Sequence, residues 1–162
     1  MEKAIAIEIQ APNNLRLKIG YKTVFLAGSI EMGKATEWQS KLIKDLEDNK
    51  YIFYNPRRDD WDNSWEQTIE DKNFNKQVTW ELKGLEMADF IVMYFDPKTK
   101  SPISLLELGL HARSGKLLVV CPKGFYRKGN VDVVCKMYKI KQFETIEELT
   151  KHLVKGELKN SK

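Results

Sequence analysis

One acidic residue in the second half of the chain is surrounded in sequence by apolar residues. Glu107 lies in the segment S101-P-I-S-L-L-E-L-G-L-H-A-R113, among four leucines and one isoleucine. Burying an ionised carboxylate is costly unless the group is paired or takes part in chemistry. Enzymes use such a group as a nucleophile or as a general acid or base. Glu107 is therefore the leading candidate for a catalytic residue.

Two hydroxyl groups precede this acid at the predicted start of its helix. Ser101 is a favourable N-cap residue, and Pro102 suits the first helical position. The hydroxyls of Ser101 and Ser104, with the free N–H groups of this turn, would also suit a phosphate or a sugar hydroxyl. His111 follows Glu107 by one helical turn, but no second histidine lies nearby in the sequence. We therefore expect no metal site and no cofactor.

A turn framed by glycines is the second candidate region. Gly28 and Gly33 enclose the stretch G28-S-I-E-M-G33 between a predicted strand and a predicted helix. Glycine allows the backbone to approach a ligand closely, and a helix N-terminus offers free N–H groups. The turn is therefore either a tight structural turn or a ligand cradle, in which Gly28 and Ser29 would contact the ligand. Ser29 could equally cap the following helix.

A loop rich in charged and aromatic residues is the third region. The loop N55-P-R-R-D-D-W-D-N-S-W65 contains two arginines, three aspartates and two tryptophans. The ring of Trp61 would stack on a flat heterocycle, while Asp60 would accept hydrogen bonds from the heterocycle's edge. The alternative is a loop that folds over the core with arginine–aspartate pairs inside it.

Three further acids lie near these regions. Glu81 is on a predicted helix and is either solvated or turned toward the site as an acid. Asp89 begins the predicted strand that precedes the Glu107 helix, at the strand end opposite to the site, so we interpret it as structural. Asp96 ends that strand immediately before Pro97, a pairing typical of a turn.

These residues need a scaffold that brings their loops together. Short apolar runs alternate with helical patterns along the chain, which predicts an α/β fold. The apolar runs cover residues 21–27, 50–54, 89–95 and 116–121. We expect a Rossmann- or flavodoxin-like sandwich, with a parallel sheet of about five strands and helices on both faces. In such sheets a ligand binds beyond the carboxyl ends of the strands, where the three candidate regions lie.

The N-terminal segment reads as an addition to this sandwich. Residues 3–10 and 15–20 are apolar or alternate around Pro12, Asn13 and Asn14. This pattern predicts a small β-hairpin, an extension over residues 1–20.

Bulk composition limits the class of protein. A chain of 162 residues, 42% hydrophobic and 31% charged, fits one globular domain spanning residues 1–162. The net charge of +4 comes largely from a lysine-rich tail, whose residues 156–162 we expect to be frayed, and predicts no nucleic-acid site. No apolar stretch reaches the roughly 20 residues that span a bilayer, and no signal peptide is expected. Cys121 and Cys135 lack metal or disulfide-framework spacing, which favours reduced thiols and a cytoplasmic location.

One buried glutamate beside a stacking loop suits cleavage of a glycosidic bond. A carboxylate can attack an anomeric carbon and form a glycosyl-enzyme ester, which a second acceptor then opens. The leaving group must be protonated or must depart as a stabilised heterocycle. A nucleobase meets this condition and also fits the aromatic loop.

Five stretches of the chain carry a more specific pattern. They are F25-L-A-G-S-I-E-M-G33, N55-P-R-R-D-D-W-D62, F74-N-K-Q-V-T-W-E-L-K-G-L-E-M-A-D89, S101-P-I-S-L-L-E-L-G109 and V120-C-P-K-G-F-Y-R-K-G-N-V131. Through these stretches, which cover most of residues 22–135, the chain resembles the nucleoside 2-deoxyribosyltransferase family, in particular its deoxyribosyltransferase-like branch.

The resemblance implies roles for individual residues. Glu107 would be the nucleophile at C1′ of a 2′-deoxyribonucleoside, and a second nucleobase would then attack the deoxyribosyl-enzyme. Glu81 falls where the family often has an aspartate associated with protonation of the base. Asn130 falls near an asparagine that the family donates to a neighbouring subunit's site, which implies a homo-oligomer built on dimers. The implied partners are a small deoxynucleoside or deoxynucleotide and a free nucleobase.

One departure from the family pattern leaves the substrate open. Six residues before its glutamate, the transferase branch commonly carries an aspartate that binds the 5′-hydroxyl, whereas this chain has Ser101. In related deoxynucleoside 5′-monophosphate N-hydrolases, a serine at this place helps bind the 5′-phosphate. Glu31, however, stands where that hydrolase pattern usually has arginine. The alternatives are therefore a transferase, a nucleotide N-glycosidase and a non-catalytic nucleotide-binding module.

Overall fold

The apolar runs and helical patterns become a three-layer structure in the computed structural model, which describes residues 4–30 and 35–156. Within these residues, strands and helices alternate along most of the chain. The strands are β1 (Ile7–Gln10), β2 (Lys22–Gly28), β3 (Tyr51–Asn55), β4 (Phe90–Tyr94), β5 (Leu117–Val120) and β6 (Lys141–Phe143). The helices are α1 (Trp38–Asp45), α2 (Lys72–Met87), α3 (Pro102–His111), α4 (Lys128–Met137) and α5 (Ile146–Val154).

The strands form one sheet in the order β1-β3-β2-β4-β5-β6, and each neighbouring pair is parallel. The predicted parallel α/β sandwich is thus confirmed, with six strands where the sequence indicated about five. Val24, Phe25 and Leu26 of the central strand β2 are completely buried, because helices cover both faces. This is why the central strands are apolar without alternation.

Two hydrophobic layers hold the helices to the sheet. One layer joins the sheet to α2, α3 and α4 through residues that include Trp80, Leu85, Leu108, Val131 and Cys135. The other joins the opposite face to α1 and α5 through residues that include Trp38, Leu42, Leu46, Leu149 and Leu153. The helices that carry Glu81 and Glu107 therefore lie on the same face of the sheet.

The predicted N-terminal hairpin is wrong. Strand β1 pairs in parallel with β3, from Ile7 opposite Ile52 to Gln10 opposite Asn55, and forms an edge of the main sheet. The following residues 15–20 contain no strand. Their backbone is instead bound by side chains, since the Tyr54 hydroxyl donates to the Arg16 carbonyl at 2.9 Å.

The strand order reverses at β2, whose neighbours β3 and β4 follow it in the chain. At the carboxyl end of this central pair, Gly28 lies opposite Tyr94. Gly28 has φ = +122°, and a Cβ atom here would overlap the Tyr94 backbone. Only glycine allows these two strand ends to approach so closely. The loops that follow β2 and β4 consequently leave the sheet side by side, at the switch point where open α/β sheets bind ligands.

The predicted frayed tail falls mainly on residues 157–162, which lie outside the described residues. No helix within the described part of the chain is long and apolar enough to cross a membrane.

Candidate active site

Three buried hydroxyl groups connect the loops at the switch point. Ser29 Oγ lies 2.9 Å from Thr99 Oγ1 and 2.5 Å from Ser101 Oγ, and the last two atoms are 2.7 Å apart. We call these three residues the hydroxyl triangle. It ties the end of β2 to the loop that enters α3, although Ser29 and Ser101 are 72 residues apart.

The polar groups of Ser29 are all engaged within the protein. Its backbone N–H donates to the Tyr94 carbonyl at 2.8 Å, and its carbonyl accepts from the indole of Trp38 at 3.1 Å. Its hydroxyl accepts from the Asp96 backbone N–H at 2.8 Å in addition to its place in the triangle. Ser29 is thus a structural junction of β2, β4 and α1, and it does not cap the helix that follows it.

Ser101 occupies the N-cap position of α3 but does not cap it with its side chain. The residue is left-handed, with φ = 46° and ψ = 54°, and its hydroxyl makes no capping hydrogen bond. The reason is that this hydroxyl is turned toward Ser29 and Thr99. Pro102 follows at the first helical position, as the sequence predicted. Helix α3 therefore begins with its free N–H groups beside the triangle.

The buried face of α3 carries Ser104 and Glu107, the two residues within this helix that the sequence predicted for the site. Ser104, Glu107, Leu108 and His111 are buried, at the spacing of one helical face. Leu108 packs into the hydrophobic layer beneath α3, so the helix cannot rotate its acid into solvent. Glu107 retains only 7% of its exposure. The opposite face, with Ile103, Leu106 and Leu110, is exposed.

Glu107 shares its surroundings with a second carboxylate. Burial raises the pKa of Glu107 to about 8, and the negative charge of Glu81 on α2 adds to the effect. Burial also raises the pKa of Glu81, while a hydrogen bond from Gln77 opposes that rise. Among the described residues, none donates a hydrogen bond to the Glu107 carboxylate. Two such neighbouring acids disfavour the state in which both are ionised.

A chain of side chains connects this pair to the loop of residues 55–65. Gln77 Nε2 donates to Glu81 Oε1 at 2.8 Å, and Gln77 Oε1 accepts from Arg58 Nη1 at 3.2 Å. Arg58 also donates two hydrogen bonds to Asp60, each of 2.9 Å. Asp60 is exposed and paired within its own loop. This pairing is the alternative that the sequence offered for the loop.

Trp61 lies in the same loop, where its ring packs on Trp65 with centroids 5.0 Å apart. The guanidinium of Arg58 lies 5.1 Å from the centre of the Trp65 ring. The indole N–H of Trp61 is buried and has no hydrogen-bond partner among the described residues. An unsatisfied buried donor costs about 1–3 kcal/mol, and a ligand acceptor that displaced the neighbouring side chains would offset this cost.

The structure does not bring every predicted residue together. Asn130 is exposed in the first turn of α4, and no hydrogen bond joins it to the described residues of the Glu107 region. Gly33 lies outside the described residues. Asp89 is at the opposite end of the sheet, where its carboxylate accepts from Thr23 N at 2.8 Å and Thr23 Oγ1 at 3.0 Å. Its interpretation as a structural residue is confirmed.

Sequence reasoning missed two residues of this region. Thr99 completes the hydroxyl triangle, and nothing local in the sequence indicated that it would meet Ser29. Gln77 binds Glu81 from the preceding helical turn, and the spacing of four residues was a usable signal. Among the described residues, no group of three histidine, cysteine, aspartate or glutamate side chains could hold a metal ion.

Comparison with known proteins identifies a family. Residues 21–125 match the model of a family described as nucleoside 2-deoxyribosyltransferase like. The matched range extends from β2 past the end of β5 and includes Ser29, Glu81, Ser101 and Glu107, but not Asn130. A search of the curated proteins found no match.

Proposed function

Because the chain belongs to the nucleoside 2-deoxyribosyltransferase-like family, we propose that it transfers 2-deoxyribosyl groups between nucleobases. The substrate would be a 2′-deoxyribonucleoside, and the acceptor would be a second purine or pyrimidine base. The observation that carries the proposal is the buried Glu107 carboxylate, which has no hydrogen-bond donor among the described residues and lies beside a second acid. A carboxylate without a partner is stronger as a nucleophile than one that is neutralised.

In the first step, a carboxylate oxygen of Glu107 attacks C1′ of the deoxyribose. The bond from C1′ to the base nitrogen breaks, and its electron pair leaves with the base. Glu81 gives its proton to the departing base, and the sugar remains on Glu107 as an ester. In the second step, a nitrogen of the second base attacks C1′ and displaces Glu107. The proton of that nitrogen returns to Glu81, so the enzyme is restored.

The electrostatics of the pair support a shared proton, and the placement of that proton on Glu81 in the substrate complex is part of the proposal. The mechanism needs one proton on the pair, held by Glu81, while Glu107 is ionised. Because burial raises the pKa of both groups, a state with one proton on the pair is favoured over a state with two negative charges. Formation of the ester removes a buried negative charge, which burial makes favourable.

We further propose positions for the substrate. The base would stack on Trp61, whose free indole N–H would donate to a base or sugar oxygen. The sugar would lie at the start of α3, between Ser104 and the strand end at Gly28. Ser29 and Ser101 would reach the 5′ end of the substrate only by exchanging a partner in the hydroxyl triangle. Asn130 would serve a neighbouring subunit in a homo-oligomer built on dimers, since it is exposed on α4.

A second candidate is an N-glycosidase acting on deoxynucleoside 5′-monophosphates. Neutral hydroxyls, rather than a carboxylate, stand at the start of α3. A helix N-terminus with no negative charge would accept a phosphate that an aspartate would repel. A non-catalytic nucleotide-binding module is the third candidate, and in that case Glu107→Ala would leave ligand binding intact without turnover in either form.

One exchange experiment separates these functions. The protein is incubated with a deoxynucleoside and a different free base, and the products are separated by chromatography. Transfer predicts the exchanged nucleoside, which requires the acceptor base. Hydrolysis predicts free base and deoxyribose 5-phosphate from the monophosphate without an acceptor. Intact-mass measurement after brief exposure to substrate should show a sugar adduct that is absent in Glu107→Gln, and failure to find exchange or cleavage with either substrate would contradict an enzymatic role.

A further inference from the structure

A buried amide beside the proposed acid has no role in the mechanism given above. Gln77 lies on α2 one helical turn before Glu81 and is 1% exposed. Its Nε2 donates to Glu81 Oε1 at 2.8 Å. We propose that Gln77 is a positioning residue that keeps the transferable proton of Glu81 on a single carboxyl oxygen, Oε2. The inference rests on the proposed function in one respect, that Glu81 protonates the leaving base.

The orientation of the Gln77 amide is fixed by its other neighbours. Gln77 Oε1 accepts from Arg58 Nη1 at 3.2 Å, and Gln77 Nε2 donates to the Pro56 carbonyl at 3.2 Å. A guanidinium can only donate, and a carbonyl can only accept. Rotating the amide by half a turn would place N–H groups against Arg58 and an oxygen against Pro56. The nitrogen of Gln77 therefore faces Glu81.

This orientation distinguishes the two oxygens of Glu81. Both amide protons of Gln77 are used, one by Pro56 and one by Glu81 Oε1. A proton on Oε1 would point against the amide N–H, so the protonated acid carries its hydrogen on Oε2. A proton held at one site needs no rotation of the carboxyl group before transfer, which raises the fraction of encounters in a productive geometry.

Arg58 extends the effect into the loop that we propose for base stacking. Asp60 holds the guanidinium through two hydrogen bonds of 2.9 Å, one residue before Trp61. The guanidinium in turn holds the oxygen of Gln77. The position of this loop and the orientation of the acid are consequently set by the same contacts.

The test compares wild type, Gln77→Met and Gln77→Glu on two leaving groups. Methionine has a similar length and no N–H donor, while glutamate is nearly isosteric and keeps the pairing with Arg58. With a deoxynucleoside that needs protonation of its base, kcat should fall about 10- to 100-fold with little change in KM. With 4-nitrophenyl 2-deoxyriboside, the leaving group departs without a proton. The kcat for this substrate should change less than about threefold, because only acid catalysis is affected.

A second measurement does not depend on turnover. The titration of Glu81 is followed by carbon NMR of glutamate-labelled protein, with Glu81→Gln for assignment. Loss of the Gln77 donor should move the pKa of Glu81 upward by about 1 in Gln77→Met, and further in Gln77→Glu, where a like charge is added. Gln142→Met is the matched control, because Gln142 on β6 makes a similar 2.7 Å hydrogen bond to Asp132 on α4, away from Glu81.

The possible results are distinct. Equal losses of kcat on both leaving groups, or an unchanged titration of Glu81 in both Gln77 variants, would overturn the positioning role. If wild type cleaves neither substrate, the proposed function fails on its own. The NMR titration then still decides whether Gln77 controls Glu81, and an unmoved pKa would exclude it.

Discussion

Two buried carboxylates on the same strand–loop–helix unit differ in their hydrogen-bond donors and in the direction of their pKa shifts. Asp96 follows β4 and is 2% exposed, whereas Glu107 lies eleven residues later on α3 and is 7% exposed. Asp96 accepts from Thr36 N at 3.0 Å and from Lys98 N at 2.9 Å. Although burial acts against it, these N–H donors hold the pKa of Asp96 below its ordinary value. Glu107 has no such donor, and burial with the charge of Glu81 raises its pKa to about 8.

Under the proposed mechanism, the difference separates the structural use of an acid from its chemical use. The ionised Asp96 joins the start of the α1 region to the β4 loop, and its charge is already satisfied by the backbone. Glu107 costs the fold free energy when it is ionised, and it gains nothing in return from the described residues. Such an uncompensated group marks the place where a protein retains reactivity at the expense of stability.

The largest expected effect is the loss of turnover when Glu107, the acid without a hydrogen-bond donor, is replaced. Glu107→Gln keeps the size and burial of the side chain but removes the nucleophile, so turnover should fall by about 10⁴-fold or more. The measurement is the exchange assay together with intact mass. Glu86→Gln, an exposed acid on α2, serves as the control and should leave the rate unchanged. Comparable activity in Glu107→Gln and wild type would exclude the covalent mechanism.

The second prediction concerns Asp96, the carboxylate whose charge is satisfied by backbone N–H groups. Asp96→Ala leaves the part-buried N–H groups of Thr36 and Lys98 without this charged acceptor, which should reduce the free energy of unfolding by roughly 1–3 kcal/mol at pH 7. Because the pKa of Asp96 is lowered in the folded protein, its stabilisation is present above pH 3.8 and is lost as pH falls through the folded value. Urea unfolding at pH 7 and pH 3 measures both effects. An undiminished midpoint at pH 7 would contradict the structural role.

The third prediction concerns stability of the Glu107 variant and has the opposite dependence on pH. Since the pKa of Glu107 is raised to about 8, wild type loses stability as pH rises from 4.5 through this value. Glu107→Gln avoids the loss and should be more stable than wild type at pH 9 by on the order of 2 kcal/mol. The gain should fade toward pH 4.5. Thermal unfolding of both proteins across this range tests it, and a gain that is constant with pH would rule out the ionisation of Glu107 as its cause.

The smallest effect concerns the coupling between the two acids. Glu81→Gln removes a negative charge beside Glu107, so the pKa of Glu107 should fall. With 4-nitrophenyl 2-deoxyriboside, which needs no acid, the acid limb of kcat/KM should move down by roughly 1 pH unit. An unmoved limb would mean that the two carboxylates do not interact, and the exposed Glu86→Gln gives the baseline.

The sequence predicted the scaffold and the burial of Glu107, because both depend on local pattern. Apolar runs of strand length recur between helical patterns, and the leucines around Glu107 indicate that its helix face is covered. The parallel pairing of β1 was missed because its partner β3 lies more than forty residues away. Residues 15–20 also have the apolar pattern of a strand, which favoured a hairpin. The short edge strand β6, which begins at Lys141 after Lys139 takes a left-handed turn, carries too little apolar pattern for its bounds to be predicted.

The details of the site depended on contacts between distant segments. The hydroxyl of Ser101 looked like a helix cap, which is its usual local role. It joins the triangle instead because β2 and β4 bring Ser29 and Thr99 to it. The Arg58–Asp60 pair was one of two alternatives for its loop, and only the fold showed that Gln77 continues this pair to Glu81.

The absence of a side chain at Gly28 has a consequence for redesign of the molecule. Any substitution there would force the ends of β2 and β4 apart, because the added atom meets the Tyr94 backbone. A library aimed at new substrate preferences should therefore leave this junction untouched. Variation belongs instead in residues that we propose to contact the substrate, such as Trp61 and Ser104, because neither of them separates the two strand ends.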